Sequence, residues 1–178
     1  MATTASARRL FQAVGESPAS ERLAVAQERL YRPLLDWARD SPLHTDALGH
    51  SVHPPLTDVV TGCWLSASLL DIFAGRDARG AATLLAAAGL VASVPTALAG
   101  AGDWTELEGD DRRIGAVHSL ATDVATFLFA GSLIARFRGR HGPGVALGLA
   151  GNVVVAGAGL LGGHLALSRG AADRSDLG

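Results

Sequence analysis

Six histidines are spread along the 178-residue chain, and the depth of four of them in the apolar pattern matters more than the number. His53 stands just before the first of four apolar segments, beside Pro54 and Pro55, with His50 three residues earlier. His118 falls four residues into the third segment, about 6 Å from its start, and His164 three residues before the end of the fourth, about 4.5 Å from it. In a four-span chain the first and third spans begin on the side where the fourth ends. His50, His53, His118 and His164 are therefore expected at one membrane face, near one level. Neutral imidazole ligates Zn, Cu and Fe, and ring nitrogens from two helices can meet at one centre. His53 and His118 are the leading candidates to hold a transition metal or to ligate a haem b axially, with His50 and His164 as further cofactor-binding candidates. The competing reading is that interfacial imidazoles only hydrogen-bond to water and headgroups, which is the expectation for His44 and His141. No HExxH or CxxC spacing accompanies them, and nothing points to an enzymatic activity of its own.

The carboxylates inside the apolar segments are the second group with chemical potential. Asp123 is the deepest, about 13.5 Å into the third segment, where an unpaired carboxylate is expensive and needs a partner or a proton. Cys63 and Trp64 in the first segment and Ser93 in the second lie at comparable depth, so an indole or hydroxyl donor is expected to satisfy it. A proton relay and a hydrogen-bonded anchor are both open for this buried polar group. Asp58, placed in the first turn of the first helix, is expected to cap it. Asp71, near the other end, is expected to pair with Arg76 or water, and Asn152 to join helices by hydrogen bonding.

The elements that must position these groups are four apolar stretches joined by short polar loops: Pro55 to Gly75, Ala81 to Gly102, Ile114 to Ala135, and Gly144 to Leu167. Each has about 20 residues or more, enough at about 1.5 Å per residue to cross a hydrocarbon core of about 30 Å. The second and fourth contain no Asp, Glu or Arg, whereas the first and third carry the aspartates. Gly144 with Gly148 and Gly159 with Gly163 stand in small-xxx-small spacing, which permits close helix contact. Pro95 removes a backbone donor and predicts a kink, with the Val91 carbonyl left for a hydroxyl or water.

Residues 1–54 read differently, as a soluble or interfacial helical tail. Leu23, Leu30, Leu34 and Trp37, at spacings of seven, four and three, predict an amphipathic helix lying on the membrane or on the end of the bundle. Ser17 and Pro18 predict its start, and Pro33 predicts an end or kink near Arg32. Residues 168–178 are expected to form a flexible C-terminal tail. The fold expected is thus all-α, an integral membrane four-helix bundle over 55–167 with an amphipathic N-terminal helical tail.

Mean hydropathy is +0.27, only 5% of residues are aromatic, and glycine alone contributes 22, which suits close-packed membrane helices better than a soluble core. All fifteen basic residues are arginine, the formal charge is −2, and no basic stripe with interleaved aromatics exists, so no nucleic-acid partner is expected. The single cysteine, Cys63, cannot form an internal disulfide. The N-terminus has too short and broken an apolar stretch after Arg8 and Arg9 to read as a secretory signal. Arginines near the span ends divide evenly, with Arg76, Arg79, Arg136, Arg138 and Arg140 opposing Arg39, Arg112, Arg113, Arg169 and Arg174, so the positive-inside rule leaves orientation undecided.

The stretch Gly49-His50-Ser51-Val52-His53-Pro54-Pro55-Leu56-Thr57-Asp58, running into an apolar helix that ends Leu69-Leu70-Asp71, resembles the bacterial predicted four-helix membrane proteins catalogued as domain of unknown function 2231. Members open with Gly-His-x-x-His-Pro and carry an Arg and a His at the start of the third span, here Arg113 and His118. The resemblance covers roughly residues 47–167 and departs at Val59-Val60, where members often continue into Phe-Pro. It implies a bacterial cell membrane location. By likeness to small b-type membrane cytochromes, and to relatives joined to iron–sulfur domains, it also implies electron transfer through haem b or a metal, with the lipid bilayer, a redox protein or a second copy as partner. A non-catalytic scaffold or assembly partner is the alternative, followed by a small transporter or proton channel built on Asp123.

Overall fold

The computed structural model describes residues 5–45 and 48–173. Among them the chain forms six α-helices: α1 (Ala5–Gly15), α2 (Pro18–Arg39), α3 (His53–Phe73), α4 (Arg79–Trp104), α5 (Gly109–Phe137) and α6 (His141–Gly163). A 3-10 turn at Arg76–Ala78 precedes α4, and a π-helical turn, His164–Ser168, prolongs α6. With those turns, α3 to α6 give four helices of 21 to 29 residues that are long and apolar enough to cross a membrane. At most 28% of the residues in their apolar windows are buried inside the protein. Leu65, Ile72, Leu84, Val91, Phe127 and Val153 are instead among the large side chains left on the outside. A soluble protein rarely presents so much apolar surface, whereas lipid covers it at no cost. The fold is that of a multi-pass membrane protein.

The four sequence-derived segments all fall inside these helices, with shifted ends. α3 begins at His53 rather than after it, so Asp58 lies beyond the first turn and is exposed, not a first-turn cap. α4 continues through Pro95 to Trp104. α2 starts as the sequence indicates, with the Ala19 amide donating to Ser17 Oγ at 3.2 Å and proline at the first helical position, but it runs on through Pro33 to Arg39.

By internal contacts the chain divides into two compact units. The second comprises His53–Ala97 and Ala121–Gly157, and all four long helices contribute to it. Its centre is a stacked pair, Trp64 of α3 on Phe129 of α5, with ring centroids 4.1 Å apart and planes 7° from parallel. Val60 and Ala125 complete the buried cluster. Two glycines make room for the pair: a Cβ on Gly89 of α4 would lie 2.5 Å from the Trp64 ring, and one on Gly151 of α6 2.6 Å from the Phe129 ring. Gly144 and Gly148 approach α5 closely too, at Arg136 and Ser132, as their spacing suggests. A Cβ on Gly159 or Gly163 would meet nothing within 4 Å among the described residues, so that second pair makes no close contact there.

The first unit comprises the described residues of Met1–Val52, Leu98–Leu120 and Ala158–Gly178, and so holds α1, α2, the end of α4, the start of α5 and the end of α6. Phe11, Ile114, Leu161 and Leu165 form its apolar cluster. α2 buries Ser20, Ala24, Gln27, Leu35 and Ala38, a face of small and polar residues at spacings near seven. The leucine stripe read from sequence turns elsewhere: Leu30 is 71% and Trp37 51% exposed, with Leu34 exposed beside them. Arg174 and the remaining residues of the C-terminal tail through Gly178 lie outside the described residues. Upstream, the Ser51 amide donates to Ala172 O at 2.9 Å, and His50 bridges to Asp173.

Candidate functional site

His50, His118 and His164 belong to the first unit and His53 to the second. Three of the four share one feature. His118 Nδ1 donates to Ala158 O at 2.9 Å, His53 Nδ1 to Thr96 O at 2.9 Å, and His50 Nδ1 to Ser51 O at 2.9 Å. A carbonyl only accepts, so Nδ1 carries the hydrogen and Nε2 is the nitrogen whose lone pair can accept a proton, a hydrogen bond or a metal. For His118 and His53 the accepting carbonyls belong to other helices, so ring orientation is fixed as well as tautomer. The His118 ring also lies flush on α6: a Cβ on Gly162 would stand 2.8 Å from its Cε1. Only glycine at 162 permits that approach.

His164 is held differently. It opens the π-helical turn, its ring stacks on Phe11 with centroids 3.9 Å apart and planes 9° from parallel, and its Nδ1 is buried without a hydrogen-bond partner among the described residues. Single π-helical turns recur at functional positions, and a buried polar atom without a partner is uncommon. Among the described residues no group of three or more His, Cys, Asp and Glu side chains could hold a metal ion. Imidazoles acting singly or in pairs suit axial ligation of haem iron, whereas a structural zinc takes four protein ligands.

The two histidines read as bystanders differ from each other. His44 donates from Nδ1 to Arg39 O at 3.0 Å, approaches Glu106 at 3.0 Å, and packs over Gly102. His141 Nδ1 is buried without a partner among the described residues.

The carboxylates of the apolar helices differ in what they meet. Asp123 is half-buried and engaged, but neither Trp64 nor Ser93 serves it: the Trp64 indole N–H is buried without a partner among the described residues, and Ser93 donates to Leu90 O of its own helix at 2.8 Å. Asp71 pairs with Arg136 rather than with Arg76. Two N–H groups of the guanidinium meet its two carboxylate oxygens, Nη1 at 3.0 Å, and both side chains are almost fully buried, at 3% and 2% exposure. Arg136 Nε also donates to Ser132 Oγ at 3.2 Å, and Ser132 donates to Gly144 O at 2.6 Å. Both charges stand one turn or less from the C-terminal ends of α3 and α5, a coincidence visible in the sequence once those spans are taken as parallel. Asn152 joins helices as expected, donating to Ser68 Oγ at 2.7 Å and Trp64 O at 3.2 Å.

Ser51, inside the Gly-His-Ser-Val-His stretch, is the residue sequence reasoning passed over. It is 2% exposed and donates to Asp103 Oδ2 at the end of α4, which pins the segment that carries His50. Arg113, read as a motif position and as a span-end arginine, pairs with Glu21 and Asp110 and donates to Gly15 O, while Arg112 pairs with Glu21 and Glu28. Those two arginines hold the Glu21 carboxyl below its ordinary range, chiefly by hydrogen bonds from Arg113 and then Arg112.

Fold and site together define an all-helical multi-pass membrane protein with histidines fixed by backbone carbonyls. No family model matches the chain, and no curated protein or solved structure matches it.

Proposed function

We propose that the protein is an electron-transfer subunit of the bacterial cell membrane that holds haem b or a transition metal through His118, with one of His164 or His50, both in the same unit, as the second ligand. The observation that carries this reading is the His118 ring, set by the Ala158 carbonyl so that Nε2 is the accepting nitrogen, and seated on Gly162. Ligating imidazoles are ordinarily held this way, the second nitrogen donating to a carbonyl or carboxylate. The orphaned Nδ1 of His164 fits the same donor chemistry. His53, in the second unit, has the same preset through Thr96 O. The resemblance of Gly49 to Asp58 to the four-helix membrane family supports it. Haem iron with imidazole ligands supplies one-electron exchange; the chain's own part is to orient the rings and exclude water.

Protein purified in detergent after expression with added haem precursor is expected to show a Soret band that His118→Ala abolishes while helical content is unchanged. His53→Ala, His50→Ala and His164→Ala rank the remaining ligands by their spectral shifts. A colourless preparation free of metal by elemental analysis would sink the reading.

A second reading, a non-catalytic assembly partner, is favoured by the exposed Leu30, Leu34 and Trp37 of α2. Under it, charged substitutions on that stripe disrupt association and His118→Ala changes nothing.

A further inference from the structure

The sequence of α2 sets Arg29, Arg32 and Arg39 within a sector of about 80° at 3.6 residues per turn, on a different face from both the buried residues and the leucine stripe. That sector, with the end of α4 and the start of α5, lines a cavity of about 510 Å³ that is open to solvent, where Arg29, Arg32, Arg39 and Asp36 are exposed and Arg112 and Trp104 are half-buried. Its volume is in the range of small-molecule sites. Glu28 also lines it.

The charges there do not cancel. Four arginines line it against two carboxylates, Glu28 and Asp36, and of these Arg112 is engaged by Glu28 and by Glu21 outside the lining. Arg29, Arg32 and Arg39 make no ion pair with any described residue, and apart from Glu28 the lining carboxylate is Asp36. Three like charges gathered on one cavity wall repel one another, and the arrangement is relieved by an anion of about two charges. Guanidinium groups present paired N–H donors that match phosphate oxygens in a bidentate way. Trp104 forms a fixed wall: its Nε1 donates to Arg112 O at 3.0 Å, and its ring lies so close to α5 that a Cβ on Gly115 would stand 2.8 Å from it.

We infer that this cavity binds a phosphate group, carried by an anionic lipid headgroup or by a small soluble phosphate. The chemistry is the same for both, and two measurements on the full chain separate the sources. Detergent-purified protein is titrated calorimetrically with inorganic phosphate against chloride at matched ionic strength. Protein reconstituted in nanodiscs of phosphatidylcholine and phosphatidylglycerol is then re-extracted, and retained lipid is measured by mass spectrometry. Saturable phosphate binding identifies a soluble ligand; selective retention of phosphatidylglycerol identifies the headgroup.

In whichever measurement is positive, the R29Q/R32Q/R39Q variant is expected to lose affinity or retention by about tenfold or more. R8Q/R9Q/R22Q, which removes the same three charges from outside the cavity, is expected to stay within about twofold of the unsubstituted protein. Arg32→Gln alone gives the smaller loss in the same direction and guards against a triple variant that folds poorly. Absence of binding in both measurements, or equal losses in the two triple variants, overturns the inference.

Discussion

Removing one member of the Asp71–Arg136 pair should be among the most damaging single changes in this protein. Both side chains are almost fully buried, the guanidinium meets the carboxylate with two N–H groups, and its Nε reaches Ser132. Arg136→Met leaves a buried carboxylate with no counter-charge, and Asp71→Leu leaves a buried guanidinium. Either loss costs about 3–5 kcal/mol where a buried pair is broken from one side. For a chain of this length that corresponds to a fall in Tm of about 6–20 °C. Replacing both at once removes both charges and leaves apolar volume, an exchange that is often neutral. The decisive quantity is therefore the coupling: the single variants sum to about 6–10 kcal/mol, while the double stays near the unsubstituted protein. Thermal unfolding in detergent, followed by helical circular dichroism, measures all four proteins under one condition. Additive losses, with the double variant as unstable as the sum of the singles, would refute the reasoning. So would a neutral Arg136→Met.

Two further outcomes follow from the same contacts. Gly89→Ala and Gly151→Ala, each forced against the Trp64–Phe129 stack, are expected to destabilise by about 1–3 kcal/mol in the same unfolding assay, whereas Gly159→Ala meets open space and should be neutral or slightly stabilising; equal effects at all three positions would show the stack is not packed as described. Glu21, whose carboxyl is held low by Arg113 and Arg112, contributes stability that is present at neutral pH and lost as the pH falls through and below the ordinary glutamate range, so Glu21→Gln should flatten the acid limb of a Tm-against-pH curve, and an unchanged limb would remove Glu21 from that role.

The spans were legible because an apolar run of about 20 residues has few other physical outcomes, and the aspartates did not alter that reading. Their ends were less legible. Pro54 and Pro55 suggest a helix start at the proline, but proline is tolerated throughout the first turn, where its missing N–H has no intrahelical partner to lose, and α3 begins at His53. Pro33 was misleading for a related reason: α2 continues because its buried face runs on to Leu35 and Ala38, and packing of that face outweighs one lost backbone bond. The same helix shows the limit of hydrophobic periodicity. Leu30, Leu34 and Trp37 gave the stronger pattern, yet the face turned inward is the one with Ala24 and Ala38, because close approach selects small side chains.

For the site, sequence supplied the histidines but not what fixes them. The acceptors of His118 and His53 are backbone carbonyls of Ala158 and Thr96, and a carbonyl has no signature in a sequence; only Gly162, which admits the His118 ring, left a readable trace. Asp71 and Arg136 show what was recoverable. Each looks like a charge at a loop boundary when read along its own helix, and counting Arg136 among loop arginines made it a topology signal. Set side by side as equivalent ends of two parallel spans, they become complementary charges at one depth, and a low-dielectric setting makes their pairing nearly obligatory. Polar residues of a membrane helix are thus better read across the helices at equal depth than along the chain, since the cost of leaving one unpaired is set by depth.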